Sequence, residues 1–94
     1  MRTILESTLM WVRTQGYSDR QLPLGIIGDT EQCPIARALT RTGKYAGRTV
    51  RVGESHARIF GGYDSPMPFD LPADVQVFIA EFDDGLYPDL IEHA

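Results

Sequence analysis

The sequence predicts a small single-domain α+β fold over residues 1–94, with helices packed on a short antiparallel β-hairpin sheet. Three observations lead there. Ninety-four residues supply one modest core and leave no room for a separate cofactor domain. Residues 71–85 (LPADVQVFIAEFDDG) place Leu71, Val75, Phe78, Ile79 and Phe82 at i, i+4, i+7, i+8 and i+11, the stripe a helix needs to lay one face on a core. Residues 48–60 (RTVRVGESHARIF) alternate apolar with polar around a Gly-Glu pair, the pattern of a hairpin with one buried face.

Taken in order, residues 3–14 carry Ile4, Leu5, Thr8, Leu9 and Val12 on one helical face, with Gly16 as a stop. Helix is the preferred reading, although the β-favouring Thr3, Thr8, Trp11 and Val12 also permit a strand. Trp11 suits either a core position or an exposed anchor for a partner, and the core is the commoner fate of an isolated Trp beside such a face. Residues 17–30 contain Pro23, Gly25 and Gly28 and read as a connection with a short extended piece at 24–27. The GIIG within them is not a phosphate loop, because the Gly-Lys-Ser/Thr ending is missing.

Residues 33–43 (CPIARALTRTG) read as a short helix, with Pro34 at its first position and Ile35, Ala36 and Leu39 on its apolar side. It is too short to persist alone and must dock. In the hairpin, a two-residue turn at Gly53-Glu54 pairs Val52 with Ser55, Val50 with Ala57 and Arg48 with Ile59. Val50, Val52, Ala57 and Ile59 then share an inner face that receives the 71–82 stripe, and Thr49, Arg51, His56 and Arg58 share an outer one. Residues 61–70, with two glycines and two prolines, read as loop, with Tyr63, Met67 and Phe69 closing over the core edge.

The principal helix follows, with Pro72 at its first position, Asp70 or Asp74 serving the free N-terminal amides, and Gly85 as a left-handed stop. Its five apolar residues offer gross burial on the order of 10 kcal/mol. Residues 86–92 (LYPDLIE) read as a short strand, kept at an edge by Pro88. His93 is expected in a frayed terminus.

The net charge of −4 conceals a division. Residues 34–63 hold six Lys or Arg against one acid, whereas residues 64–94 hold eight acids and no Lys or Arg. Such opposition is satisfied within one chain if the segments pack together, or between chains if it marks an interaction surface. Arg37, Arg41, Arg48, Arg51 and Arg58 are the candidate partner-binding residues. Nucleic acid is the second choice of partner, since the chain is acidic overall and its basic residues lack interleaved exposed aromatics.

No catalytic, cofactor-binding or metal-binding residue is assigned. Cys33 sits where a helix N-terminus lowers a thiol pKa, but it has no nearby histidine, no C-x-x-C and no C-x5-R spacing, so packing is the preferred role and a cysteine-dependent enzyme the least favoured reading. One cysteine and two histidines make no metal-ligand set. No apolar run reaches the length of a membrane span, and the N-terminus lacks the order of a secretory signal. A cytoplasmic protein is the expectation.

GD-x3-CPIARAL, LPADVQVFIAEFDDG and the following Y-P-x-L resemble a loose group of small uncharacterised proteins carried by actinobacterial phages and actinobacterial genomes. In that group a CP-[IV]-A-x-A-[LI] helix start precedes a β segment and an LP…FI…FD-x-G helix. The likeness covers roughly residues 25–90 and brings no catalytic or cofactor residue with it. It implies a phage accessory protein or prophage remnant in a bacterial cytoplasm, acting by binding a host or phage protein, with self-association a further option.

Overall fold

In the computed structural model, which describes residues 3–42, 45, 47–61 and 67–92 (67–69 by backbone alone), the elements run α1 (Ile4–Thr14), α2 (Pro34–Thr40), β1 (Thr49–Val52), β2 (His56–Phe60), β3 (Met67–Asp70), α3 (Ala73–Asp83) and a 3₁₀ turn (Pro88–Leu90). The strands form one antiparallel sheet in the order β1-β2-β3. The fold is the small α+β domain that the pattern predicts.

Residues 4–14 are helical, as preferred, with Thr3 as the cap. The Thr3 hydroxyl accepts the Glu6 amide at 3.0 Å, a side-chain cap that offsets an otherwise unpaired donor. At the other end Gly16 takes φ +109°, the Tyr17 amide donates to the Val12 carbonyl and the Gly16 amide to that of Arg13. That pair of bonds is a Schellman motif. It turns Tyr17 inward to 4% exposure, and Trp11 lies half-buried against the same core.

The Cys33 sulfur caps α2 by accepting the Ala36 amide at 3.3 Å, and Pro34 occupies the first turn. The helix stops at Thr40, short of the expected end at Gly43, which lies outside the described residues. The hydroxyls of Thr40 and Thr42 donate to the carbonyls of Arg37 and Leu39. Such local bonds compete with helix propagation, which accounts for the early stop.

The hairpin turns one residue later than expected, which slips the pairing of its strands by two. Val52 faces Ala57 and Val50 faces Ile59, and the Gly53 amide closes the turn on the His56 carbonyl at 2.8 Å around Glu54 and Ser55. A slip of two preserves the faces, because side chains alternate with period two. Val50, Val52, Ala57 and Ile59 are all buried, as predicted, and Thr49, Arg51, His56 and Arg58 are exposed.

Two expectations for proline-bearing segments are overturned. Residues 67–70, read as loop, form β3; Pro68 lacks a ladder donor, but β3 pairs only with β2 and sits at an edge where that loss is tolerated. Residues 86–92, read as a strand, instead contain the 3₁₀ turn begun by Pro88, with the Leu90 amide on the Tyr87 carbonyl. What survives of the strand is a single parallel bridge from Ile91 to Gly25, inside the extended piece expected at 24–27. Tyr63 and His93 lie outside the described residues, as do the side chains of Met67 and Phe69.

Helix α3 starts one residue after the expected Pro72, which serves as its cap residue. Its stripe is buried as predicted: Leu71, Val75, Phe78, Ile79 and Phe82 all join the core. Its cover differs, however. α3 lies chiefly on α1, and the helix laid on β1 is α2. The alanine-rich α2 approaches a strand closely, whereas the larger side chains of α3 match the Ile4, Leu9 and Val12 stripe of α1.

Two substitutions test this packing by urea unfolding. A Cβ on Gly25 would overlap Pro34 Cδ and lie 2.5 Å from Pro34 N, so Gly25→Ala is expected to lose about 1–3 kcal/mol. Thr8 is fully buried and its hydroxyl has no hydrogen-bond partner among the described residues, so Thr8→Val is expected to raise stability by roughly 1 kcal/mol. A destabilised Thr8→Val would show that the hydroxyl is paired in solution.

Candidate binding site

A groove of about 420 Å³ lies between the first two turns of α1 and residues 86–90. Leu5, Leu9, Leu22, Leu86, Tyr87 and Leu90 give it an apolar lining, and Glu6, Arg20 and Asp89 stand among its polar residues. That size and lining suit apolar side chains of a peptide or a small ligand.

Backbone geometry holds its walls. α3 ends in the same motif as α1: Gly85 takes φ +81°, its amide donates to the Phe82 carbonyl, and the Leu86 amide donates to that of Glu81. In α1 the corresponding residue, Tyr17, is buried; here Leu86 is 60% exposed. Next to it the Tyr87 ring lies 4.9 Å from Phe78, and its hydroxyl donates to Glu81 at 2.8 Å. Burial, then the bond to Glu81, push the Tyr87 pKa up to about 12, so this tyrosine stays protonated and its donor stays on Glu81 across the physiological range.

A second, shallower pocket of about 610 Å³ adjoins the first and shares Arg20, Gln21 and Leu22 with it. Arg20, Arg37 and Arg41 line it together with Tyr17, Asp19 and Glu92. Arg37 is committed internally: it donates to the Leu24 carbonyl and to Glu92, each at 2.9 Å, and to Gln32 at 3.1 Å. The bond and charge of Arg37 hold the Glu92 carboxyl below its ordinary range. Arg20 and Arg41 are exposed, and among the described residues neither enters an ion pair.

The five arginines singled out from the sequence therefore divide. Arg37 and Arg41 share the second pocket. Arg51 and Arg58 face each other across β1 and β2 on the outer sheet surface, where Arg51 also lies 5.1 Å over the Phe60 ring and 3.5 Å from Glu31. Arg48 is exposed just before β1. Arg20 was not among them, since only the fold brings the 17–24 connection beside α2.

The fold also aligns Ser55, His56 and Asp70: Ser55 Oγ is 2.6 Å from His56 Nδ1, and His56 Nε2 is 3.1 Å from Asp70. The resemblance to a hydrolytic triad is geometric only. Asp70 is 88% exposed, so water screens the charge that would orient the imidazole. The nearby Gly53 amide, which a developing oxyanion would need, is already donated to the His56 carbonyl. Cys33 is no better placed. Burial first, then Asp83 and Asp29, raise its pKa against two backbone amide bonds that lower it, and no histidine lines the small pocket it borders.

Among the described residues no group of three or more His, Cys, Asp or Glu is arranged to hold a metal ion, and no helix is long and apolar enough to cross a membrane. No protein-family model, curated protein or solved structure matches the chain.

The buried thiol is expected to resist alkylation in the folded protein at neutral pH and to react fully in denaturant; fast labelling of folded protein would contradict the raised pKa. For Glu92, a lowered folded pKa stabilises the protein above the unfolded carboxylate pKa, and that contribution fades as pH falls through the folded value. Wild type should therefore exceed Glu92→Gln in stability at pH 7, and the gap should close on acidification, as followed by thermal unfolding at a series of pH values.

Proposed function

We propose that this protein is a non-enzymatic interaction module that grips an apolar segment of another protein in the groove between α1 and residues 86–90. The single observation behind this reading is Leu86, an exposed leucine held in place by a helix-terminating backbone motif at the mouth of an apolar groove. Exposed apolar surface bordered by polar residues is the usual mark of a protein contact. The resemblance noted above suggests a phage-derived protein in an actinobacterial cytoplasm, with a host or phage protein as partner.

A pull-down from a bacterial host lysate tests it. Wild type is expected to retain a partner that Leu86→Asp loses, and because Leu86 is exposed the substitution should leave the unfolding midpoint nearly unchanged. Retention of the same proteins by both forms would remove the groove from consideration.

A second reading rests on the outer sheet face, where Arg51 and Arg58 stand directly opposite each other. Like charges so placed repel, and a bound phosphate would relieve them. If nucleic acid is the ligand, mixed-sequence DNA or RNA should bind at low salt with an affinity that falls steeply as salt rises. Absence of binding at low salt would remove this alternative.

A further inference from the structure

The apolar groove and the arginine-lined pocket are two halves of one surface, joined along Arg20, Gln21 and Leu22. We infer that the segment held in the groove is an acidic peptide of a partner protein, whose apolar run fills the groove and whose carboxylate, beyond one end of that run, reaches Arg20 and Arg41. This rests on the groove reading above and adds the partner's chemistry to it.

The argument is charge complementarity with a position attached. Three guanidiniums and two carboxylates line the second pocket, and one of those carboxylates, Glu92, is already bound by Arg37. That leaves Asp19 as the one other carboxylate in the lining beside Arg20 and Arg41. The Tyr17 hydroxyl, close to both Asp19 and Arg41, donates to the Gln21 carbonyl at 2.6 Å and so adds no negative charge. An incoming carboxylate therefore meets two exposed guanidiniums that are in no ion pair among the described residues, and planar guanidinium forks suit carboxylate oxygens. The Arg37 and Glu92 contact shows a carboxylate accepted on this same surface.

The groove itself sets the register. Glu6 and Asp89 line it and are absent from the arginine pocket, whereas Arg20 stands where the two meet, so an acidic residue of the apolar run beside Glu6 or Asp89 would meet like charge. Only an acid beyond Leu22, at the Arg20 end, is favoured.

A random-peptide display library selected on the immobilised full chain tests this directly. The expected consensus is two or more apolar residues with an Asp or Glu on one consistent side. A labelled peptide of that consensus should bind wild type, lose affinity about tenfold when its acid is replaced by the amide, and lose a similar factor on Arg20→Ser combined with Arg41→Ser. In that double variant, the amide replacement should have no further effect. Both arginines are exposed, so folding of the double variant is expected and is checked by its unfolding midpoint. An apolar consensus with no preference for an acid, bound equally by the double variant, overturns this inference and leaves the groove reading standing. No enriched peptide, or peptides indifferent to Leu86→Asp, overturns both.

Discussion

The tie between the end of the chain and Gly25 is the constraint on which the surface described here depends. The Gly25 amide donates to the Leu90 carbonyl and its carbonyl accepts the Glu92 amide, both at 2.8 Å, while Arg37 reaches from α2 to hold the Leu24 carbonyl and the Glu92 side chain together. Residues 86–92 have little regular structure of their own beyond one 3₁₀ turn. Together with the packing of Tyr87 on Phe78 and its bond to Glu81, these bonds offset the entropy lost in ordering the segment, and one wall of the apolar groove and one edge of the arginine pocket rest on them. A side chain at position 25 cannot be accommodated without moving Pro34, so the start of α2 and residues 90–92 are spaced by the absence of a single methyl.

Much of this was legible in the residues. The 3.6-residue stripe of α3, the proline at the start of α2 and the alternation in the hairpin each follow from one local pattern, and each segment behaves accordingly. The hairpin shows the limit of that method: Gly53 attracts a turn assignment because glycine permits positive φ, yet the turn forms at Glu54 and Ser55. The inward set survived because the error was an even number of residues. Where composition was averaged over ten residues, as for residues 61–70, the last four escaped notice; a proline read as a breaker is harmless on an edge strand with one neighbour.

The binding surface was less visible for a different reason. Leu5 and Leu9 look like core residues because they share a face with Val12, and only the placement of residues 86–90 shows that the outer part of that face borders a groove. Arg20 lies in a segment with no periodicity at all. The arginines chosen for their clustering in sequence were separated by the fold, one of them absorbed into structural bonds. The charge division between the two halves is met within the chain at Arg37 and Glu92, so part of the opposition noted in the sequence is architectural.

The acids that crowd the end of α3 bear on how this molecule meets copies of itself. Leu86 is followed closely by Asp89 and preceded by Asp83 and Asp84, all exposed. A two-fold dimer built on that leucine would set each patch against its own image, bringing carboxylates of the same sign together around a small apolar centre. Those carboxylates weigh against such a pairing, while the same oily spot, with Arg20 on its other border, stays open to molecules of unlike surface.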